Sequence, residues 1–289
     1  MGIREQILER IQQAGELPTL PGIVTKLMRV VEDPHASAQQ IAQVIEHDPV
    51  LTTRILKVAN SVAFGSVNPV PSVTQAAARL GLKQIRNITM TLSVIDLLKG
   101  SSNLDYTRFW KHCLSVAFAA QIIARHARKF EQERDHIFTA GMLHDIGMLI
   151  LDQFANDLYQ QVGALAHDKD RESYLVEQEV LGIDHAETGA LMLEKWNLPA
   201  CIADSAHYHH VPCDAPESTR PIVQLVHLAN FACNNQGIDS GMDVFPTSFS
   251  NASWFDTGLS VEDIPVIIQE VNNEVAKSTV MLAVSQNNS

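Results

Sequence analysis

The chain has 289 residues, 46% of them hydrophobic and 19% charged, which suits a globular protein able to bury a sizeable core. Its formal net charge of −12 argues against an electrostatic grip on nucleic acid or on an anionic membrane, because both need a basic footprint. No run is long and apolar enough for a membrane span, and residues 1–18 (MGIREQILERIQQAGELP) are charged throughout. Neither a signal peptide nor an anchor is therefore predicted, and the expected compartment is the cytoplasm.

Taken in chain order, almost everything reads as helix. Ile3, Ile7, Leu8 and Ile11 recur with the helical period, so residues 2–14 form an amphipathic helix. Two prolines in LPTLP (Leu17–Pro21) interrupt it. The period resumes from Ile23 to Val31 and stops at Asp33-Pro34. Ser37, with Gln40 at the third helical position, is a capping box. Asp48-Pro49 opens another helix through Ile55, Leu56 and Val58, and Ser72 opens one through Leu80 that breaks near Gly81 before Ile85–Leu98. The polar run KGSSN (Lys99–Asn103) is a linker and a lobe boundary. Phe109–Phe130 then reads as a long Ala-rich helix, and Ile137–Phe154 as mostly apolar and central. Asp184 caps a helix to Trp196, with Glu187 as its capping-box partner. Pro199 opens the next, to about His210, and Thr219–Cys233 follows. Asn234–Ser260 is expected to be a long loop, either functional or mobile. Ser260 with Asp263 caps a last helix from Val261 to about Val284. No internal repeat and no period-two strand pattern is present, so the fold class is all-α.

Cys113, Cys201, Cys213 and Cys233 show no CxxC spacing and read as reduced thiols. The twelve histidines are the unusual feature, with seven between Asp135 and His210. His112 sits in FWKHCLSVAFAA, His144 and Asp145 in AGMLHDIGMLIL, His185 in GIDHAETGA, and His207, His209 and His210 in ADSAHYHHVP. Each group belongs to a different expected helix. Helical bundles build metal sites from inward His and carboxylate residues on several helices. A lone histidine on an apolar face is more often a satisfied core residue, so spacing alone leaves the two readings level. Neighbouring residues on a helix point about 100° apart. His144 and Asp145 therefore serve one metal only at a helix end or with the ring and carboxylate converging. Gly147 would let another helix come close. His207 and His210 share a helical face and His209 lies off it, so which of the three faces inward stays open.

The stretches LPTLPGIVTKLM, IEHDPVLTTRILKVANS, VTQAAARLGLKQIRNI, FWKHCLSVA, TAGMLHDIGMLIL and LGIDHAETGALMLEKWNLP, followed by HYHH, resemble the HDOD domain. That family is the signalling offshoot of the HD metal-dependent phosphohydrolases. The resemblance runs from Leu17 to His210, about two thirds of the chain. It implies an all-α, multi-helix, HD-domain-like bundle with an N-terminal helical lobe. Residues 1–100 would form that lobe and 101–235 the HD-like lobe. Residues 236–289 would add a loop and a C-terminal helix packed on the HD-like lobe.

In HD hydrolases the first metal is held by a helix His, a His-Asp pair and a late Asp. By resemblance His112, His144 and Asp145 occupy the first three places. Asn230, in VHLANF, stands where the late Asp is expected. His185 and the pair His209/His210 match the second-metal positions of binuclear relatives. Two departures matter. A neutral amide holds a divalent cation less tightly than a carboxylate. Met148 follows HDIG where cyclic-dinucleotide-cleaving relatives carry a Lys, a point charge suited to phosphate. Their Gly-Tyr-Pro motif is also absent after HHVPCDAP.

The resemblance thus implies a regulatory signalling module with a retained but degenerate metal site. The cofactor it implies is a divalent metal such as Fe, Mn, Zn or Mg. The partners it implies are a protein of a signalling pathway and a nucleotide ligand, without nucleic acid or membrane. The alternative is a metal-dependent phosphohydrolase acting on a nucleotide or other phosphoester, with Asp145 and His185 as catalytic residues. Nucleotide sensing without cleavage is a third reading. Elsewhere, Asn60 is read as a left-handed helix C-cap or, by the resemblance, a packing corner between the lobes; Glu177 as part of a solvated helix face or an acceptor for a histidine ring N–H; and Arg79, Lys83 and Arg86 as a solvated basic cluster or a site for an anion or acidic partner.

Overall fold

Every regular element among the described residues of the computed structural model is helical, and no strand occurs there. The described residues are 2–13, 20–32, 36–98, 104–127, 136–168, 171–242 and 248–286. Asp33-Pro34, KGSSN, Phe130, most of LPTLP and the final Asn-Asn-Ser lie outside them. The chain divides into two compact units. One comprises Met1–Leu17 with Gly100–Glu274, the other Pro18–Lys99 with Val275–Ser289.

The smaller unit contains α2 (Gly22–Glu32), α3 (Ala38–Ile45), α4 (Pro49–Ala59), α5 (Val73–Leu80) and α6 (Leu82–Leu97). Local chemistry sets the starts of these helices. Ser37 Oγ accepts the Gln40 N–H (3.2 Å) while Gln40 Oε1 accepts the Ser37 N–H (2.8 Å), a complete capping box. Asp48 caps α4 through the Leu51 N–H (3.0 Å), with Pro49 at the first helical position. Gly81, at φ 87°, separates α5 from α6, a conformation that Cβ-bearing residues resist.

Two expectations fail here, the second in part. Asn60 ends α4 at φ −86°, ψ 2°, which is not left-handed. Its side chain instead clamps Val70, donating to the carbonyl (2.9 Å) and accepting from the N–H (2.8 Å). The basic cluster is exposed at Lys83 but not at its two arginines. Arg86 is buried. Arg79 is spent on the Ala59 and Asn68 carbonyls and on Ser66 Oγ.

The larger unit holds α1 (Ile3–Gln13), α7 (Tyr106–His126), α8 (Ile137–Leu143), α9 (Ile146–Phe154), α10 (Asn156–Asp168), α11 (Ser173–Leu181), α12 (His185–Lys195), α13 (Ala200–Tyr208), α14 (Arg220–Asn235) and α15 (Asn251–Thr257). Its last helix is the first part of α16 (Ile264–Gln286). α7 packs on α8 and α14, and α12 packs on α9 and α13. Together these six helices enclose the apolar centre. α1 is tied on by Arg4, which donates to the Gly182 carbonyl (2.8 Å) and to Glu187. Asp184 does cap α12 through the Glu187 N–H (2.8 Å), but the Glu187 carboxylate turns to Arg4 and no full box forms. Arg125 and His126, in the last turn of α7, reach Glu270 on α16 at 2.6 and 3.2 Å. The segment expected as one long loop contains α15, started by Ser250, whose Oγ accepts the Ser253 N–H (3.2 Å).

Candidate metal centre

The expected helix across Ile137–Phe154 is interrupted where the chemistry lies. α8 ends at Leu143. His144 (φ −58°, ψ −37°) is still helical, Asp145 (φ −99°, ψ 10°) is not, and α9 begins at Ile146. This break removes the 100° divergence of an unbroken helix and turns both side chains inward.

Two glycines bring the neighbouring helices close enough to complete the cluster. A Cβ on Gly141 would lie 2.8 Å from Ala117 Cα, so α8 rests on the backbone of α7. His112 and His144 are thereby neighbours, with ring centroids 5.3 Å apart. A Cβ on Gly147 would lie 1.9 Å from the His185 carbonyl oxygen and 2.7 Å from the Gly189 N. α9 therefore crosses the first turn of α12 in contact that only glycine allows.

Asp145 is the hub. Its Oδ2 lies 3.4 Å from His112 Nε2. Its Oδ1 lies 3.2 Å from His144 Nε2, 3.3 Å from His209 Nε2 and 3.6 Å from His185 Nε2. His210 Nε2 is 2.9 Å from His185 Nε2. His144, Asp145, His185 and His209 are 0% exposed, His112 1% and His210 8%.

The tautomers follow from the other ring nitrogens. Nδ1 of His112 meets the Ile238 carbonyl (2.7 Å), that of His144 the Gly141 carbonyl (2.8 Å) and that of His209 the Ala206 carbonyl (2.7 Å). Nδ1 of His185 meets the Glu177 carboxylate (2.8 Å). These partners only accept, so each Nδ1 carries a proton, and in the neutral ring Nε2 presents a lone pair toward Asp145.

Burial lowers the pKa of His144 to about 4, against the opposing pull of Asp145. Burial, with His209 and His185 beside it, pushes His210 well below the usual imidazole range. Burial alone would raise Asp145, and only the charge of His144 and N–H donation from His112 and His209 would hold its carboxyl well below the carboxylate range; with the rings neutral and protonated at Nδ1, that support is absent. At neutral pH lone pairs thus face lone pairs. Both Asp145 oxygens, His144 Nε2 and His209 Nε2 lack a hydrogen-bond partner. A buried negative charge in this state is costly unless a cation balances it. Ligand atoms about 2.0–2.2 Å from a metal stand roughly 3.0–3.5 Å from one another at ordinary coordination angles. The distances around Asp145 are of this size, and none is a hydrogen bond. The residues fit a divalent cation. Among the described residues, two groups are able to hold one: His112, His144 and Asp145, and His185, His209 and His210.

A family model for the HDOD domain matches residues 17–212. The chain belongs to the HDOD domain family. A Geobacter sulfurreducens HDOD domain protein of unknown function is 26% identical, with a TM-score of 0.81 over 97% of this chain and 96% of that one. A Shewanella amazonensis protein named as a candidate phosphohydrolase is 23% identical, with a TM-score of 0.73 over 98% of this chain and 99% of that one. A Marinobacter aquaeolei protein named as a candidate signal transduction protein is 22% identical, with a TM-score of 0.79 over 98% of this chain and 65% of that one. These last two show the fold alone. A Treponema pallidum protein is 23% identical over 215 residues, 74% of this chain and 42% of that protein. The chain thus spans less than half the length of that relative. Among the described residues of this HDOD chain, no helix is long and apolar enough to cross a membrane.

Six of the seven candidate ligands come together in the HDOD bundle: His112, His144, Asp145, His185, His209 and His210. Asn230 is fully buried on α14; its Oδ1 accepts from Asn234 Nδ2 (3.1 Å) and its own Nδ2 has no partner. The shared helical face of His207 and His210 does not decide which histidines turn inward. α13 stops at Tyr208, so His209 and His210 both turn in while His207 stays outside against Tyr208. Met148 is fully buried in α9. All four cysteines are free.

Two participants lie outside the seven candidate ligands. Glu177 is 0% exposed, which rules out the solvated face and leaves its reading as an acceptor for a histidine ring. Its Oε2 accepts the His185 backbone N–H (2.6 Å) and Nδ1–H (2.8 Å), and its Oε1 accepts the Tyr159 hydroxyl (3.0 Å). His227 donates from Nδ1 to the His209 carbonyl (2.7 Å), and its Nε2 accepts the Ser250 N–H (3.1 Å). The available signal was the same for both: an ionisable residue inside an apolar helical run, YLVEQEVL and VQLVHLANF.

Proposed function

We propose that this HDOD chain is a regulatory signalling module whose HD-like centre binds a divalent metal ion without turning over a phosphoester. The observation that carries the reading is the complete burial of Asp145 among imidazole lone pairs. His112, His144 and Asp145 form one ligand set, His185, His209 and His210 the other, and Asn230 is the neutral residue in the late-carboxylate place. Bound there, the cation supplies the positive charge that Asp145 lacks. The chain's own groups do the rest. The carbonyls of Gly141, Ala206 and Ile238 and the Glu177 carboxylate hold each imidazole in the Nδ1–H form, which leaves Nε2 free to coordinate.

Three features support binding over turnover. The ligand atoms are buried, so a phosphoester reaches them only if the site opens. Asn230 replaces a charged ligand with a neutral one. Met148 puts a buried apolar side chain where hydrolytic relatives carry a cation. Family membership supports the signalling role and an interaction with a protein partner or a nucleotide.

One observation favours the phosphohydrolase reading. His210 is the most exposed member of the cluster, and its Nδ1 has no partner. With His210 neutral and its proton on Nε2 facing His185, that buried Nδ1 offers a lone pair that could take a proton from an attacking water if the site opened to a phosphoester, with Asp145 and His185 as the catalytic residues. Incubation of the manganese- or zinc-loaded chain with bis(nitrophenyl) phosphate and a set of nucleotides separates the two. A metal-dependent rise in melting temperature with no product above background is expected. Metal-dependent product release that is lost in Asp145→Asn would establish the enzyme instead.

A further inference from the structure

Away from the buried centre, the larger unit carries a cavity of about 630 Å³ bounded by α7, α14, α15 and the first part of α16. Small-molecule sites typically measure about 300–1,000 Å³. One end is aromatic: the Phe231 and Phe249 ring centroids are 4.9 Å apart, and those of Phe249 and Trp254 6.3 Å. Among the described residues, none that lines the cavity is acidic or basic. Its polar members are four carboxamides, Asn235, Gln236, Asn251 and Asn272. Apolar surface is left wet at its edge, with Phe249 40%, Val261 70% and Ile264 36% exposed. Exposed apolar side chains at the rim of an apolar cavity suit the mouth of a small-molecule site.

We propose that this cavity binds an uncharged, mainly apolar small molecule that carries one hydrogen-bonding group such as a hydroxyl, carbonyl or amide. The charge pattern decides the class. A carboxamide offers both donor and acceptor but no net charge. A phosphate or fatty-acid carboxylate buried here would have no cation to balance it. The aromatic end provides flat apolar area for the body of the ligand. The wall is also held from behind. Ser250, between the lining residues Phe249 and Asn251, gives its N–H to His227 (3.1 Å), which in turn holds the His209 carbonyl (2.7 Å). A wall fixed before binding lowers the ordering cost of binding. None of this depends on the metal centre being occupied.

The test uses the full chain and the uncharged dye phenylnaphthylamine, which brightens in apolar surroundings. One saturable dye site per chain is expected, emptied by decanol but not by decanoate at neutral pH. Ala232→Phe places a ring in the cavity and should weaken dye binding roughly tenfold or more with unchanged helix content. Ile268→Trp fills the cavity from α16 and decides the matter if Ala232→Phe does not fold. Val67→Ser, which removes an exposed apolar group in the other unit, should leave the dye affinity unchanged. No saturable site, full dye affinity in both filled variants, or equal competition by decanoate would overturn the proposal. So would a dimer in sedimentation that the filled variants abolish while the wild-type chain takes up no dye, which would make the face a protein interface.

Discussion

Glu177 makes the strongest claim at the scale of single residues. A fully buried carboxylate that accepts from a backbone N–H, an imidazole and a phenol fixes the ring orientation of His185 and makes it a better electron donor. Glu177→Gln should weaken metal retention about 10–100-fold, the usual loss when such a partner is removed. Competition with a chromogenic chelator measures it, and retention equal to wild type would show that Glu177 serves packing alone. Asn230 allows the opposite change. Asn230→Asp is expected to raise metal occupancy at a fixed free-metal concentration, and no change would place Asn230 outside the ligand shell. Histidines and Asp145 were legible in the sequence because ionisable residues in apolar helical runs stand out. Glu177 was legible only as the rarer of two readings, since a Glu on a helix is far more often solvated. Its burial depends on Tyr159 and His185, which arrive from other helices.

Among the helices, the centre exists because α8 and α9 are separate and because glycines let α7 and α12 approach them. Gly147→Ala would force a methyl group into the His185 carbonyl and the backbone of Gly189, rigid atoms that side-chain rotation cannot move. A loss of about 3 kcal/mol or more is expected, at the upper end for overpacking, together with loss of metal. Gly22→Ala, where a Cβ meets nothing within 4 Å, should instead be neutral or stabilising by up to ~1 kcal/mol. Chemical denaturation of both variants checks the pair. Equal effects would mean that the α9–α12 contact relaxes freely. Helix starts were readable from short-range chemistry, as the Ser37 box and the Asp48 cap show. The break at His144-Asp145 was not, because nothing local forbids a helix through GMLHDIG. Only the inward demand of both side chains stops it there.

For the molecule as a whole, several neutral histidines are held out of water. His227 is lowered to about 4 by burial, offset in part by its bond to the His209 carbonyl, and His144 is likewise lowered to about 4. In the unfolded chain these rings take up protons near pH 6.5. Between about pH 6.5 and 4 the unfolded state therefore binds more protons than the folded one. Stability of the metal-free chain should fall as pH drops through that window and level off below it. The contribution is at most about 3 kcal/mol per histidine. His227→Gln, which can keep both hydrogen bonds but does not titrate, should flatten the profile; an unchanged slope would mean that His227 charges in the folded state.

The central claim is that the cluster around Asp145 is a working metal centre. Its most direct test is elemental mass spectrometry on the full chain, purified without chelator and without a polyhistidine tag, beside His144→Ala and His207→Ala. Near-stoichiometric iron, manganese, zinc or magnesium is predicted in the wild type and in His207→Ala, with most of it lost in His144→Ala. Equal metal in all three, or none in a wild-type chain that is folded, would contradict the account and leave the buried histidines as core residues.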